Sequence, residues 1–120
     1  MTPFGARLRD LRQIKGIQLQ KMAADLNISA AYLSALEHGH RGKPAPGLVM
    51  QICGYLDCIW DEAEDLKRLA ELSHPKVTLD TSGLSPAKTE LANRLRLGLR
   101  AMPDEQVERL LSLLRSEQPE

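Results

Sequence analysis

Between residues 18 and 37 the sequence QLQKMAADLNISAAYLSALE admits little local structure other than two short helices joined by a sharp turn. Met22, Ala23 and Leu26 recur at helical spacing, as do Leu33 and Leu36, and the interval between the two sets is too short for a free loop. Asn27 stands where the backbone must reverse, and asparagine enters the left-handed region more readily than any residue but glycine. Ile28 fills behind the turn, and the small Ala23 lets the helices approach closely. Ser29 is a good N-cap for a helix from Ala30 to about His38. Each cue is weak alone, but their joint spacing is specific.

The flanking segments supply the helices that such a pair needs to pack against. Thr2-Pro3 is a cap-and-first-turn signal. Phe4, Leu8, Leu11 and Ile14 then form an inward stripe to about Lys15, with Arg7, Arg9, Arg12 and Lys15 on the other face, and Gly16 ends the helix. The Gly- and Pro-rich stretch 38–46 is a loop. Pro46 starts a fourth helix that buries Val49, Ile52, Cys53 and Leu56. Asp57 or Asp61 opens a fifth, running through Trp60, Ala63, Leu66, Leu69 and Ala70 to about Ser73.

Beyond His74-Pro75 the character changes. Val77-Thr78-Leu79-Asp80-Thr81 alternates like a short strand, which must find a partner. Ser85-Pro86 starts a helix to about Ala101, and a last helix runs from Pro103 to about Arg115. The expected fold is therefore all-α: a five-helix domain over 1–74, a linker or short strand over 75–84, and a C-terminal helical hairpin over 85–116. Two amphipathic helices without a large core of their own should bury their stripes against something, and a second copy is the favoured partner. The residues expected at such a dimer contact are Val77, Leu79, Leu91, Leu95, Leu99, Met102, Val107, Leu110, Leu111 and Leu114.

Net charge is zero, but it is polarised along the chain. Residues 1–43 hold seven Lys/Arg against three acids, +4; residues 44–75 hold two against six, −4; the remainder balances at seven each. A basic N-terminal third is what a nucleic-acid partner would select, although a solvated charge pattern looks the same. No apolar run is long enough to span a membrane and the start lacks a signal-peptide core, so a cytoplasmic protein is expected. No Ser-His-Asp order, Gly-rich phosphate loop or paired carboxylates argue for an enzyme, and no cofactor is expected. His38, His40 and His74 lack further ligands at metal spacing, so no metal is expected either. Cys53 and Cys58, five apart across a helix end, read as small buried apolar residues or as a redox-sensitive pair.

Taken together, Phe4-Gly5-x-Arg7-Leu8-Arg9-x-Leu11-Arg12, Met22-Ala23-x-x-Leu26-Asn27-Ile28-Ser29 and Tyr32-Leu33-Ser34-x-Leu36-Glu37-x-Gly39, with the basic loop ending at Pro44, closely resemble the lambda-repressor-like (Cro/cI, Xre type) helix-turn-helix family. The resemblance covers about residues 4–73. It implies two-fold dimers on operator DNA with the third helix in the major groove. The groove-facing positions then match Ala30, Ala31, Ser34 and Ala35. Gln18 or Gln20 stands in for the phosphate-binding glutamine that usually opens helix two, where this chain has Leu19. Ser29 and Tyr32 reach phosphates at the start of helix three, unless Tyr32 instead covers the core, and Arg41 and Lys43, with His38 and His40, clamp phosphates beyond its end or form a solvated loop. Glu37 would face phosphates unless paired, so an internal ion pair or hydrogen bond is expected for it.

The reading face carries none of the forked side chains that make bidentate base contacts. Either small residues let the helix sit deep against thymine methyls, or DNA binding is weakened. The expected function is a sequence-specific transcriptional regulator, most simply a repressor binding a palindromic operator on double-stranded DNA as a homodimer. An antitoxin-type autorepressor and a helical interaction module are the alternatives, and a toxin or a small-molecule effector stays open as a further partner.

Overall fold

A computed structural model describes residues 1–40 and 44–117. Its helices are α1 (Pro3–Ile14), α2 (Leu19–Asp25), α3 (Ala30–His38), α4 (Pro46–Tyr55), α5 (Trp60–Glu71), α6 (Pro86–Gly98) and α7 (Asp104–Glu117), with a 3-10 turn at Leu99–Ala101. The chain divides into two compact units, 1–77 and 78–120. Among the described residues there is no strand, so the strand expected at Val77 to Thr81 does not form. The alternation is present in the sequence, but no second strand lies in the described chain to satisfy its edges.

The first unit is built on α1. Thr2 accepts a hydrogen bond from the Gly5 amide at 3.0 Å and Pro3 occupies the first turn, so helix entry is fixed locally. Phe4, Leu8 and Leu11, spaced four and three apart, are buried with Met22, Ala23, Leu33, Val49, Ile52, Leu56 and Leu66 in one core. Burying such side chains stabilises the fold by about 1.5–3 kcal/mol each. α1 packs on α3 and α5, α2 on α3, and α4 on α5. Ser73 closes the unit: its buried hydroxyl accepts from the Phe4 amide at 2.9 Å and donates to the Leu69 carbonyl, joining the end of α5 to the start of α1.

Two apolar positions and one helix start differ from expectation. Ile14 is 77% exposed, because Gly16 (φ +68°) reverses the chain just beyond it and Ile17 takes the place against the core. Trp60 is 80% exposed, since the buried stripe of α5 reduces to Leu66 and Ala70, and Trp60 lies more than a turn before it. Neither Asp57 nor Asp61 caps α5. Asp57 adopts φ +52° and ends α4 in the way that Asn27, at φ +59°, ends α2. The cap position of α5 is Ile59, whose amide donates to the Glu62 carboxylate at 3.1 Å, with Asp61 and Glu62 in the first turn complementing the helix dipole.

In the second unit, Ser85 caps α6 through a bond from the Lys88 amide and Pro86 starts it. No described residue from 78 to 115 is fully buried. Leu79, Leu91, Leu99 and Leu114 are exposed, as is Val77 at the end of the first unit. Leu95, Met102, Val107, Leu110 and Leu111 are half-buried.

Candidate nucleic-acid interface

The α2–turn–α3 unit is held by backbone geometry that its sequence dictates. Around the left-handed Asn27, the Ile28 amide bonds the Ala23 carbonyl at 2.9 Å and the Asn27 amide bonds Ala24 at 3.1 Å. This is the Schellman closure, which satisfies carbonyls that a helix end leaves open. Ala23 is buried at the junction and Ile28 is half-buried against the core. Ser29 then caps α3, accepting from the Tyr32 amide at 3.0 Å, and Gly39 (φ +79°) ends it. Both ends of α3 are thus set by single residues.

Along the outer side of α3, Ala31 and His38 are exposed and Ser34 and Ala35 half-exposed. Ala30 is half-buried and packs against the core, so it presents less to the outside than its neighbours. Tyr32 is half-buried. Gln18 and Gln20 are exposed at the start of α2, and the Gln18 side chain does not cap that helix. His38 folds back, its Nδ1 lying 2.8 Å from the Ser34 carbonyl, and its ring stacks on His40 at 6.4 Å between centroids. Arg41 and Lys43 lie outside the described residues. Among the described residues there is no group of three or more metal-ligating side chains, and no helix is long and apolar enough to cross a membrane.

Glu37 is the buried carboxylate of this site, 1% exposed, and it has the partner that its position demands. Arg12 Nε donates to Oε2 at 3.0 Å and a second guanidinium nitrogen reaches Oε1 at 3.2 Å, a bidentate pair, while the third bonds the Ile17 carbonyl at 3.1 Å. The fork matches the carboxylate geometry, and each of the three guanidinium nitrogens has a partner. The expectation of an internal partner for Glu37 therefore holds, but Arg12 does not belong to the outer basic face of α1. Arg7 likewise lies 3.7 Å from Asp65, and Lys21 3.1 Å from Asp25. Among the described residues, Arg7, Arg12 and Lys21 thus pair with carboxylates of the same unit.

Gly5 was legible as part of the family motif but not for its physical role. A Cβ there would lie 2.2 Å from the Glu37 carbonyl oxygen, so α1 and α3 meet backbone to backbone. A second unforeseen contact joins α4 to α2: the Tyr55 hydroxyl donates to Asp25 at 2.6 Å. Tyr55 and Lys21 hold the Asp25 carboxyl below its ordinary value, and Asp25 in turn pushes the Tyr55 phenol up.

A lowered carboxyl contributes stability above its unfolded pKa and loses it as pH falls through the folded value; the raised phenol contributes below its unfolded value and loses it as pH rises through the folded one. Tyr55→Phe is expected to move the Asp25 titration, followed by NMR, up toward 3.8, with less stability lost on acidification than in the wild type. An unmoved Asp25 titration would show that the contact is absent in solution.

A capped α3 carried by Asn27, packed on α1 through Gly5 and locked by Arg12–Glu37, defines a helix-turn-helix DNA-binding domain. Residues 3–72 match the helix-turn-helix domain family, more than half of the chain, and the chain belongs to that family. It is similar to the uncharacterized HTH-type transcriptional regulator RghRB of Bacillus subtilis (strain 168), 36% identical over 56 residues, 47% of this chain and 40% of that protein. It is also similar to the HTH-type transcriptional repressor RghR of the same organism, 28% identical over 105 residues, 63% of this chain and 78% of that protein. The chain thus spans less than half the length of the first of these relatives. No solved structure gives a significant match.

Proposed function

We propose that this DNA-binding protein is a transcriptional repressor that covers a two-fold symmetric operator as a homodimer. The observation that carries the reading is the exposed outer side of α3, with Ala31, Ser34 and Ala35 held between two locally fixed ends. A relative named as a transcriptional repressor supports the direction of regulation. Side chains this small allow close approach to the major groove, where Ala31 and Ala35 meet thymine methyls and Ser34 bonds a base edge. Specificity then draws on DNA shape more than on bidentate contacts.

Affinity comes from the backbone contacts around α3. Gln18, Gln20, Ser29 and Tyr32 are the phosphate contacts on the α2 side; the Ser29 hydroxyl accepts the Tyr32 amide and keeps its proton for a phosphate oxygen. Arg41 and Lys43, with His38 and His40, are the proposed clamp beyond Gly39. Dimerisation is assigned to the apolar stripes of α6 and α7, because no residue from 78 to 115 is fully buried in the single chain.

Selection of bound fragments from the host genome tests binding, symmetry and target together. The expected motif is an inverted repeat with half-site centres about 10 base pairs, or a multiple of that, apart. A single unrepeated half-site would overturn the dimeric reading. No enrichment at low salt would favour the other reading of the alanine-rich α3, a helical interaction module.

A further inference from the structure

Four helix ends among the described residues of the first unit close in the same way. Around a left-handed residue, an amide bonds the carbonyl five positions back: Ile17 to Arg12 across Gly16, Ile28 to Ala23 across Asn27, His40 to Ala35 across Gly39, and Cys58 to Cys53 across Asp57, all at 2.9–3.0 Å. This closure brings the side chains at its first and last positions toward each other. At α2 the pair is Ala23 and Ile28, an ordinary apolar contact. At the α4–α5 junction both positions are cysteine.

The two thiols are free, Cys53 buried at 7% exposure and Cys58 half-buried. The backbone register of this turn, closed by the Cys58 amide on the Cys53 carbonyl at 3.0 Å, thus brings the two thiols toward each other. We propose that Cys53 and Cys58 form a redox site, converted by a peroxide into an intrachain disulfide and returned by a dithiol.

Access assigns the first step to Cys58, the more exposed thiol. Its sulfur takes one peroxide oxygen, the O–O bond breaks and one water leaves, giving a sulfenic acid. The Cys53 sulfur then attacks that sulfur; the S–O bond breaks, the S–S bond forms, and the departing hydroxide takes the Cys53 proton as a second water. The two sulfurs lose two electrons together and the peroxide gains them.

Burial pushes the Cys58 thiol up to about 11, and the nearby Cys53 and Glu62 act in the same direction while Lys15 opposes them. Little thiolate at neutral pH makes the first step slow.

The test uses the full chain, treated with hydrogen peroxide at mildly alkaline pH, quenched, denatured, alkylated and weighed intact. The expected product takes up no alkylating agent, is two hydrogens lighter, and yields a peptide cross-linking Cys53 to Cys58 of the same chain. Dithiothreitol then restores two alkylatable thiols. Cys53→Ser and Cys58→Ser chains are expected to give no such mass loss. A wild-type chain that keeps both thiols, gains oxygen at a cysteine without cross-linking, or bridges only between chains would overturn the proposal.

Discussion

Arg12→Ala is expected to lower the unfolding free energy by about 3–5 kcal/mol, read from denaturant melts of the full chain. Glu37 is 1% exposed, and its carboxylate has its charge compensated by the bidentate guanidinium of Arg12. Removing that guanidinium strands a charge where water does not reach, and also deletes the bond that Arg12 makes to the Ile17 carbonyl at the α1 turn. The comparison that identifies the cause is Arg12→Met combined with Glu37→Leu. Removing both charges leaves no uncompensated group, so the double variant is expected to recover much of the loss. A double variant as unstable as Arg12→Ala would mean that packing of the long side chain, not its charge, holds this position.

Gly5→Ala is expected to cost about 3 kcal/mol, in spite of alanine's intrinsic advantage of about 1 kcal/mol over glycine within a helix. The new Cβ would sit 2.2 Å from the Glu37 carbonyl oxygen and 2.7 Å from its Cα, and backbone cannot step aside as a side chain can. α1 must lift from α3, which also pulls Arg12 away from Glu37. Thermal melts should show a midpoint lowered by roughly 10 °C or more. Gly47→Ala is the control, since a Cβ there meets nothing within 4 Å and the position lies in α4. Equal melting of Gly5→Ala and wild type would contradict the close approach of α1 and α3.

How far these features could be read in the sequence differs from residue to residue. The scaffold of the α2–turn–α3 unit was legible, because Asn27 and Ser29 each impose a local conformation that needs no distant partner, whereas the burial of Ala30 was not. Glu37 was legible as a residue requiring a partner. The identity of that partner was also available: Arg12 follows the buried Leu8 by four residues and Glu37 follows the buried Leu33 by four, so both charges lie beside inward stripes. Reading α1 as having a basic outer face hid this.

The errors fall where periodicity runs past the end of packing. Ile14 and Trp60 keep the spacing of their stripes, but the chain turns at Gly16 beyond the one, and no packed neighbour reaches the other. Helix spacing tells which face a residue is on, not whether a neighbour is there to cover it. Asp57 and Asp61 failed for another reason. Aspartate is suited both to caps and to the left-handed region, and only the position of the last turn of α4 decides between them. The contact of Tyr55 with Asp25 joins residues thirty apart, and no local pattern foretells it.

The central claim is that the outer side of α3 meets DNA, and Ala31→Glu tests it most directly. Ala31 is exposed within α3, so glutamate leaves the core untouched while bringing a negative charge to the face proposed to enter the groove. Binding of the full chain to a genomically selected fragment, measured by fluorescence anisotropy, should weaken about tenfold or more, with an unchanged melting temperature. Wild-type affinity retained by a folded Ala31→Glu chain would contradict the account and move the DNA contact away from α3.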